Sequence, residues 1–175
     1  MQVSFERTGP RRYGVRIVAP GQSVRFTNPA PGFDEHIPHD LVHYLVEAEL
    51  RLSAGVFGRA AQGGSAFFVT DDGSSARERR RAQRRQQRRE HSLEQRDVHG
   101  EMARAERLAL LCDIAWRRLH GHVTAAPGMA VPAPTPEESA WVARVVHKLE
   151  HIAPRWHALP VGGSLTFTWP SSEAE

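Results

Sequence analysis

The segment from Pro38 to Leu52 constrains the fold more than any other, because its spacing predicts an amphipathic helix. Proline suits the first turn of a helix, where its missing N–H is not needed. Apolar residues then recur every three or four positions and form one face. They are Leu41, Val42, Leu45, Ala48 and Leu52. At about 100° per residue, the opposite face carries His39, Asp40, His43 and Glu47. The segment therefore predicts a helix with one side suited to a core and one side suited to chemistry.

His39 and His43 are four residues apart on this helix, so their imidazoles can converge on one metal ion. His39 and Glu47 are separated by roughly 12 Å along a regular helix and cannot bind the same ion. Two ligand pairs are therefore open: His39 with His43, or His43 with Glu47. In the first, Asp40 orients or deprotonates a metal-bound water, and Glu47 fixes the ring of His43. The alternative without a metal is a polar helix face that meets water.

Catalytic zinc usually takes three protein ligands, so a third ligand has to come from another part of the chain. His36 lies just before the helix, and His147 and His151 are again four apart on a later helix, although opposite its apolar stripe. The ten histidines of the chain favour such a site. We predict zinc or another divalent ion with Asp40 and Glu47 as catalytic residues. The candidate ligands are His39, His43, His36, His147 and His151.

The pattern His39-Asp40-x-x-His43 resembles the His-Glu-x-x-His helix of zinc metallohydrolases, with aspartate in place of glutamate. This resemblance implies a zinc-dependent hydrolase, peptidase- or amidase-like, in which Asp40 stands where the general base stands. The stretch from Pro38 to Glu47 is also similar to a segment of uncharacterised bacterial proteins. There a Gly-aromatic-Gly stretch often follows, comparable with residues 55–58 here. The second resemblance implies no activity.

The segment from Arg77 to Arg96 carries nine arginines, three glutamates and almost no apolar residue, within a polar insertion at about 74–97. It cannot bury a face, which predicts a solvated helix or a disordered segment. The alternative function is a non-enzymatic binding protein that engages nucleic acid, another polyanion or an acidic partner through these arginines. Aromatic residues for base stacking are missing from the run, so the charge alone supports this alternative.

Short alternating stretches on either side of these segments predict strands. Three lie near the N-terminus. The residues on their inner sides are Val3 and Phe5 in the first, Tyr13, Val15 and Ile17 in the second, and Val24 and Phe26 in the third. A fourth strand is predicted over residues 66–70, and the last contains Leu165, Phe167 and Trp169. Residues 98–120 predict a long buried helix, and the capping box Thr135-Pro136-Glu137-Glu138 opens another that Pro154 ends. The fold class is therefore α+β. We predict a single domain over residues 1–175, with a small antiparallel sheet (N-terminal meander plus C-terminal strand) packed against about three helices.

Composition limits the other classes. No apolar run approaches the ~20 residues that span a bilayer, so no membrane contact is expected. Cys112 is the one cysteine, which excludes an internal disulfide and makes a cytoplasmic protein the expectation. The substrate of a hydrolase of this kind would be a small molecule or a peptide, which the sequence does not specify.

Overall fold

The computed structural model describes residues 1–21, 24–27, 36–64, 69–70, 76–97, 99–122 and 133–169. The strands are β1 (Gln2–Gly9), β2 (Arg12–Val18), β3 (Arg25–Thr27), β4 (Val69–Thr70) and β5 (Ser164–Thr168). The helices are α1 (His39–Leu50), α2 (Val56–Ala61), α3 (Ala76–Glu94), α4 (Glu101–Leu119) and α5 (Pro136–His157). The fold class is α+β, as the sequence predicts.

The strands form one antiparallel sheet in the order β4-β3-β2-β1-β5. Val3 in β1 lies opposite Ile17 of β2 on one side and Phe167 of β5 on the other. The predicted meander and its pairing with the last strand are therefore confirmed. Of the strand predicted over residues 66–70, only Val69 and Thr70 are described, and they pair with β3. Residues 66–68 lie outside the described residues.

The helices α1, α4 and α5 form the layer that covers the sheet. The helix α1 runs antiparallel to α5, because His36 before its start contacts His157 whereas Glu49 near its end contacts Arg144. It also runs antiparallel to α4, whose first residue Glu101 accepts hydrogen bonds from the backbone just after α1. One hydrophobic core joins the three helices to the sheet; its large members include Phe5, Ile17, Tyr44, Leu108, Trp116, Leu149 and Trp156.

The helix α1 lies at the centre of this layer. Seven consecutive residues, 41–47, are buried. Its Tyr44 contacts Phe5 and Phe167 of the sheet and donates a hydrogen bond to the carbonyl of Thr168 over 3.0 Å. Because other elements pack against α1 on several sides, its buried surface is wider than the single apolar face that was predicted. The polar residues His43 and Glu47 are also buried.

In β3 the residue that faces the core is Arg25, whereas the prediction placed Phe26 there. Arg25 lies opposite buried Ile17, whereas Phe26 lies opposite exposed Arg16, and directly opposite residues point to the same face of a sheet. The guanidinium of Arg25 donates to the carbonyl of Ala60 over 2.8 Å and to the carbonyl of Gly64. Ala60 lies near the end of α2 and its carbonyl also accepts the N–H of Gly63, whereas Gly64 lies just after the helix. Arg25 is therefore turned inward, where it joins β3 to the end of α2 and the residues after it.

The helix α5 begins as predicted but ends later. The hydroxyl of Thr135 accepts from the N–H of Glu138, whose carboxylate accepts from the N–H of Thr135, which completes the capping box. The helix then continues through Pro154 to His157, because Trp156 packs into the core. In α4 the predicted buried face is confirmed for Cys112 and Trp116, but Leu119 is exposed. In the described part of the chain, no helix combines the length and the apolar character needed to cross a bilayer.

Candidate metal centre

The structure brings His39 and His43 together at the start of α1. Their Nε2 atoms are 3.1 Å apart, and their rings are nearly perpendicular with centroids 4.6 Å apart. Two imidazole nitrogens that bind one tetrahedral zinc ion at the usual 2.0–2.1 Å are about 3.3 Å apart. The two nitrogens are hydrogen-bonded to each other, at a separation close to the one that a shared ion requires.

The electrostatic environment of His43 keeps its ring neutral. Its side chain lies under the N-terminal turn of α1, and the residue is 5% exposed. Burial, and secondarily the neighbouring His39, lower the pKa of His43 to about 4. A neutral imidazole is the form that binds a metal, so no proton has to be removed from this ring at neutral pH. Its Nδ1 atom is buried and has no hydrogen-bond partner among the described residues.

Two acidic side chains of α4 face this pair, and the sequence analysis did not single them out. The Oε2 atom of Glu106 lies 3.6 Å from Nε2 of His43, and the Glu106 side chain is 58% exposed. Asp113 is half-buried, receives two hydrogen bonds from Nε of Arg117, and lies near enough to His39 for the two charges to interact. Burial raises the pKa of Asp113. The spacing of seven between these acids, which puts them on one face of a helix, is the signal that could have found them.

Asp40 lies on the side of the pair that faces the sheet. Its carboxyl group hydrogen-bonds with the buried hydroxyl of Tyr13, and that oxygen also lies 3.3 Å from the backbone nitrogen of Asp40. Burial raises the pKa of Asp40 to about 6, against the opposing effect of the His39 charge. The contact with Tyr13 therefore fixes Asp40 directly after His39, within reach of the His39 charge.

Glu47 is held by the backbone of α2 instead of by His43. Its carboxylate, 0% exposed, accepts the N–H groups of Val56, Phe57 and Gly58 over 2.8, 2.9 and 3.2 Å. These are donors at the start of a helix, which have no carbonyl partner within it. Burial raises the pKa of Glu47 to about 7, while the three N–H groups oppose that rise. The predicted hydrogen bond from Glu47 to the ring of His43 is absent from these contacts, so the role of Glu47 is structural.

Gly55 lies against the carboxylate of Glu47, at the start of α2. A Cβ atom at this position would overlap the carboxylate of Glu47, and one at Gly58 would overlap the backbone of Leu52 and Ser53. The glycines of residues 55–58 therefore let the start of α2 approach Glu47 closely. An acidic residue followed eight positions later by a glycine-rich turn is the sequence signal for this contact.

The contacts described for the other three predicted ligands are with groups other than His39 and His43. The ring of His36 stacks on His122 with centroids 3.8 Å apart, and its carbonyl accepts a hydrogen bond from Nε2 of His157 over 2.6 Å. His147 and His151 line a groove on another side of α1, with Tyr44 and Leu45. In the described ranges, no group of three or more His, Cys, Asp or Glu side chains is arranged so that it could hold a metal ion as it stands. A metal site at His39 and His43 would therefore need a third ligand brought in by a side-chain movement.

Comparison of the chain with family models, with curated proteins and with solved structures gives no match. The two resemblances carried by residues 38–47 and 55–58 therefore stay predictions. What this centre can do has to be inferred from its own geometry.

Proposed function

We propose that the chain is a metal-dependent hydrolase in which His39 and His43 bind zinc or another divalent ion and Glu106 supplies the third protein ligand. The observation that carries this proposal is the 3.1 Å separation of the two Nε2 atoms. Two imidazole nitrogens with this separation could occupy two positions of a tetrahedral coordination shell. Of the pair, His43 is buried and His39 is exposed, and the carboxylate of Glu106 lies 3.6 Å from Nε2 of His43.

Glu106 is the residue best suited to complete the set. Its carboxylate lies 3.6 Å from the nitrogen of His43, and its exposed side chain can change rotamer at little cost. Two histidines and one glutamate are a ligand set used by catalytic zinc sites, which keep the fourth position for water or substrate. An ion in this position would lower the pKa of bound water to about 7 and so make hydroxide available at neutral pH.

Asp40 would act on that water. It follows His39 directly and lies close enough to His39 and Glu106 for their charges to affect it. The hydroxyl of Tyr13 holds its carboxyl group in place, so the free oxygen can accept a proton from a water molecule at the same point. The substrate class, a small molecule or a peptide, follows from the sequence resemblance and stays a prediction.

Zinc binding can be measured with untagged protein, stripped with a chelator and reloaded, by elemental analysis and by titration calorimetry. We expect about one zinc per chain, and at least a 100-fold weaker affinity in His39→Ala, because a single imidazole with a flexible carboxylate no longer encloses the ion. His39 is exposed, so the substitution does not endanger the fold.

The matched control is the double variant His147→Ala/His151→Ala. This pair has the same spacing of four and the same centroid distance of 4.6 Å, but both rings are exposed. Zinc binding that survives His39→Ala and is lost in the control variant would contradict the proposal.

Hydrolysis is tested with p-nitrophenyl acetate as the probe. Zinc-loaded protein should release p-nitrophenol at least tenfold faster than metal-free protein, and Asp40→Asn should reduce the rate by about 10²-fold while one zinc per chain is retained. Equal rates with and without zinc, or an unchanged rate in a zinc-loaded Asp40→Asn variant, would remove the hydrolase and leave a metal-binding protein.

A further inference from the structure

The helix α3 presents an arginine face that the metal centre does not use. Six exposed arginines fall within about half of the helix circumference at 100° per residue. They are Arg80, Arg81, Arg84, Arg85, Arg88 and Arg89, and together they form what we call the arginine face. The nine steps from Arg80 to Arg89 cover roughly 13.5 Å at 1.5 Å per residue. A positive charge therefore recurs about every 2.7 Å along this side of the helix.

Glu90, Leu93 and Glu94 of α3 lie on the other side of the helix, towards the body of the protein. Buried Arg59 of α2 contacts Glu90 at 3.1 Å and Glu94 at 3.5 Å, and Leu93 is 5% exposed. Of the two predicted states, a solvated helix or a disordered segment, the chain adopts the helix, and the prediction that it buries nothing was wrong at its C-terminal end. Since Glu90 and Glu94 are directed to Arg59, these two glutamates do not neutralise the arginine face.

The same contacts fix the position of the helix. Nε of Arg89 donates to the carbonyl of Gln62 over 2.7 Å, and the carboxylate of Asp97 accepts the N–H groups of Glu101 and Met102 at the start of α4. The C-terminal end of α3 is therefore attached to both α2 and α4. A partner meets the arginines on a helix that is already formed, so less ordering is needed on binding.

We propose that the arginine face of α3 binds duplex DNA through its phosphates, without sequence specificity. The spacing of the arginines is comparable to that of the phosphates along one DNA strand, which carries one negative charge per about 3.4 Å of helix axis. The major groove of B-DNA, about 12 Å wide, admits an α-helix with guanidinium groups along one side. Arginine is also the side chain best suited to pair with phosphate oxygens, because its donors form a planar fork.

The composition of α3 argues against other partners. It contains no aromatic residue on which unpaired bases could stack, which disfavours single strands. Its apolar residues are two alanines and Leu93, too few for the apolar face of a membrane-surface helix. Duplex RNA has a deep, narrow major groove that excludes a helix, so we expect it to bind more weakly than DNA.

The test is fluorescence anisotropy of the full chain with a labelled 20-base-pair DNA duplex between 50 and 200 mM KCl. The logarithm of the binding constant should fall linearly with the logarithm of salt concentration, with a slope of about −4 to −5 if five phosphates are contacted. The triple variant Arg81→Gln/Arg84→Gln/Arg88→Gln should bind at least 30-fold more weakly at 100 mM KCl, and its slope should be smaller by about 2.7. Glutamine keeps a good helix propensity, and circular dichroism verifies that α3 is retained.

The matched control is Arg16→Gln/Arg118→Gln/Arg155→Gln, which removes the same charge from three exposed arginines outside α3. It should bind within threefold of the unmodified chain. Equal weakening by both triple variants would reduce the effect to net charge and overturn the proposal. An unchanged affinity in the α3 variant would do the same, as would stronger binding to a duplex RNA or to polyglutamate than to the DNA at equal salt.

Discussion

His43 and Glu47 are buried polar residues one turn apart on the same helix, and their surroundings differ completely. Every oxygen of Glu47 is occupied by backbone N–H groups, whereas His43 points one nitrogen at His39 and leaves the other without a partner among the described residues. Glu47 thus joins α1 to α2. The Nε2 atom of His43 lies 3.1 Å from Nε2 of His39 and 3.6 Å from the carboxylate of Glu106 on α4, so it is the nitrogen that a ligand at this point would meet.

The contrast shows how to separate a buried polar residue that supports the fold from one that can do chemistry. A supporting residue has all of its hydrogen bonds made inside the protein, so its removal leaves donors unpaired and lowers stability. A buried polar residue whose binding groups are left open for a ligand lowers the stability of the ligand-free protein, and ligand binding restores that stability. Stability measured with and without a metal ion, and as a function of pH, should therefore separate the two kinds of residue.

The largest expected effect is that of Glu47→Ala. It would leave three backbone N–H groups of α2 unpaired in a buried position, and each unpaired donor costs about 1–3 kcal/mol. We expect the free energy of unfolding, measured by urea denaturation at pH 6, to fall by about 4 kcal/mol. Glu49→Ala, two residues on, breaks contacts to exposed Arg144 and Lys148 and should cost at most about 1 kcal/mol. Equal losses in the two variants would show that the N–H contacts of Glu47 contribute nothing special.

The pH dependence of stability should differ in sign between the two residues. The folded-state pKa of His43, lowered to about 4 from 6.5, means that the unfolded chain binds more protons between these values. The contribution of His43 is therefore complete above pH 6.5 and is lost as the pH falls to about 4. The pKa of Glu47 is raised to about 7 from 4.5, so its contribution is complete below pH 4.5 and is lost as the pH rises to about 7.

Each effect is on the order of 2–3 kcal/mol, because one pKa unit corresponds to 1.36 kcal/mol. Urea unfolding of His43→Gln and Glu47→Gln at half-unit steps from pH 4 to 7.5, compared with the unmodified chain, isolates the two contributions. The free energy of unfolding that is lost in His43→Gln should increase as the pH rises. The free energy lost in Glu47→Gln should decrease as the pH rises. Two difference curves with the same sign would contradict the assignment.

Gly55→Ala should have a smaller effect that depends on Glu47. The new Cβ would overlap the Glu47 carboxylate and push it from its donors, at a cost of about 2 kcal/mol. In a Glu47→Ala background the same substitution should cost less than about 0.5 kcal/mol, because the overlapping group is gone. Gly9→Ala, where a Cβ would make only an ordinary contact with Arg12, serves as the control. Additive losses in the double variant would show that Gly55 and Glu47 do not interact.

The sequence predicts the helix α1 and the His39–His43 pair because both depend only on local spacing. The register of β1 with β2 and β5 likewise follows from alternation. The burial of Glu47 could not be predicted in this way, since its partners are backbone N–H groups, which every residue carries and which leave no pattern. Arg25 was misassigned for the same reason, because the carbonyls that it contacts lie at the end of α2 and just after it. The approach of Glu106 depends on the packing of α4 against α1, which no local pattern determines.

The smallest expected change in stability, and the most discriminating, is that of His39→Ala. The side chain is exposed, and its removal in metal-free buffer should alter the free energy of unfolding by less than about 0.5 kcal/mol. If the pair binds zinc, an excess of 100 times the dissociation constant should stabilise the unmodified chain by about 2.7 kcal/mol and His39→Ala by almost nothing. Glu106→Gln, which keeps the shape of the side chain but weakens its bond to a cation, should show an intermediate gain. Thermal unfolding with and without zinc measures all three. Equal zinc-dependent stabilisation of His39→Ala and the unmodified chain would mean that zinc binds at a site other than the His39–His43 pair.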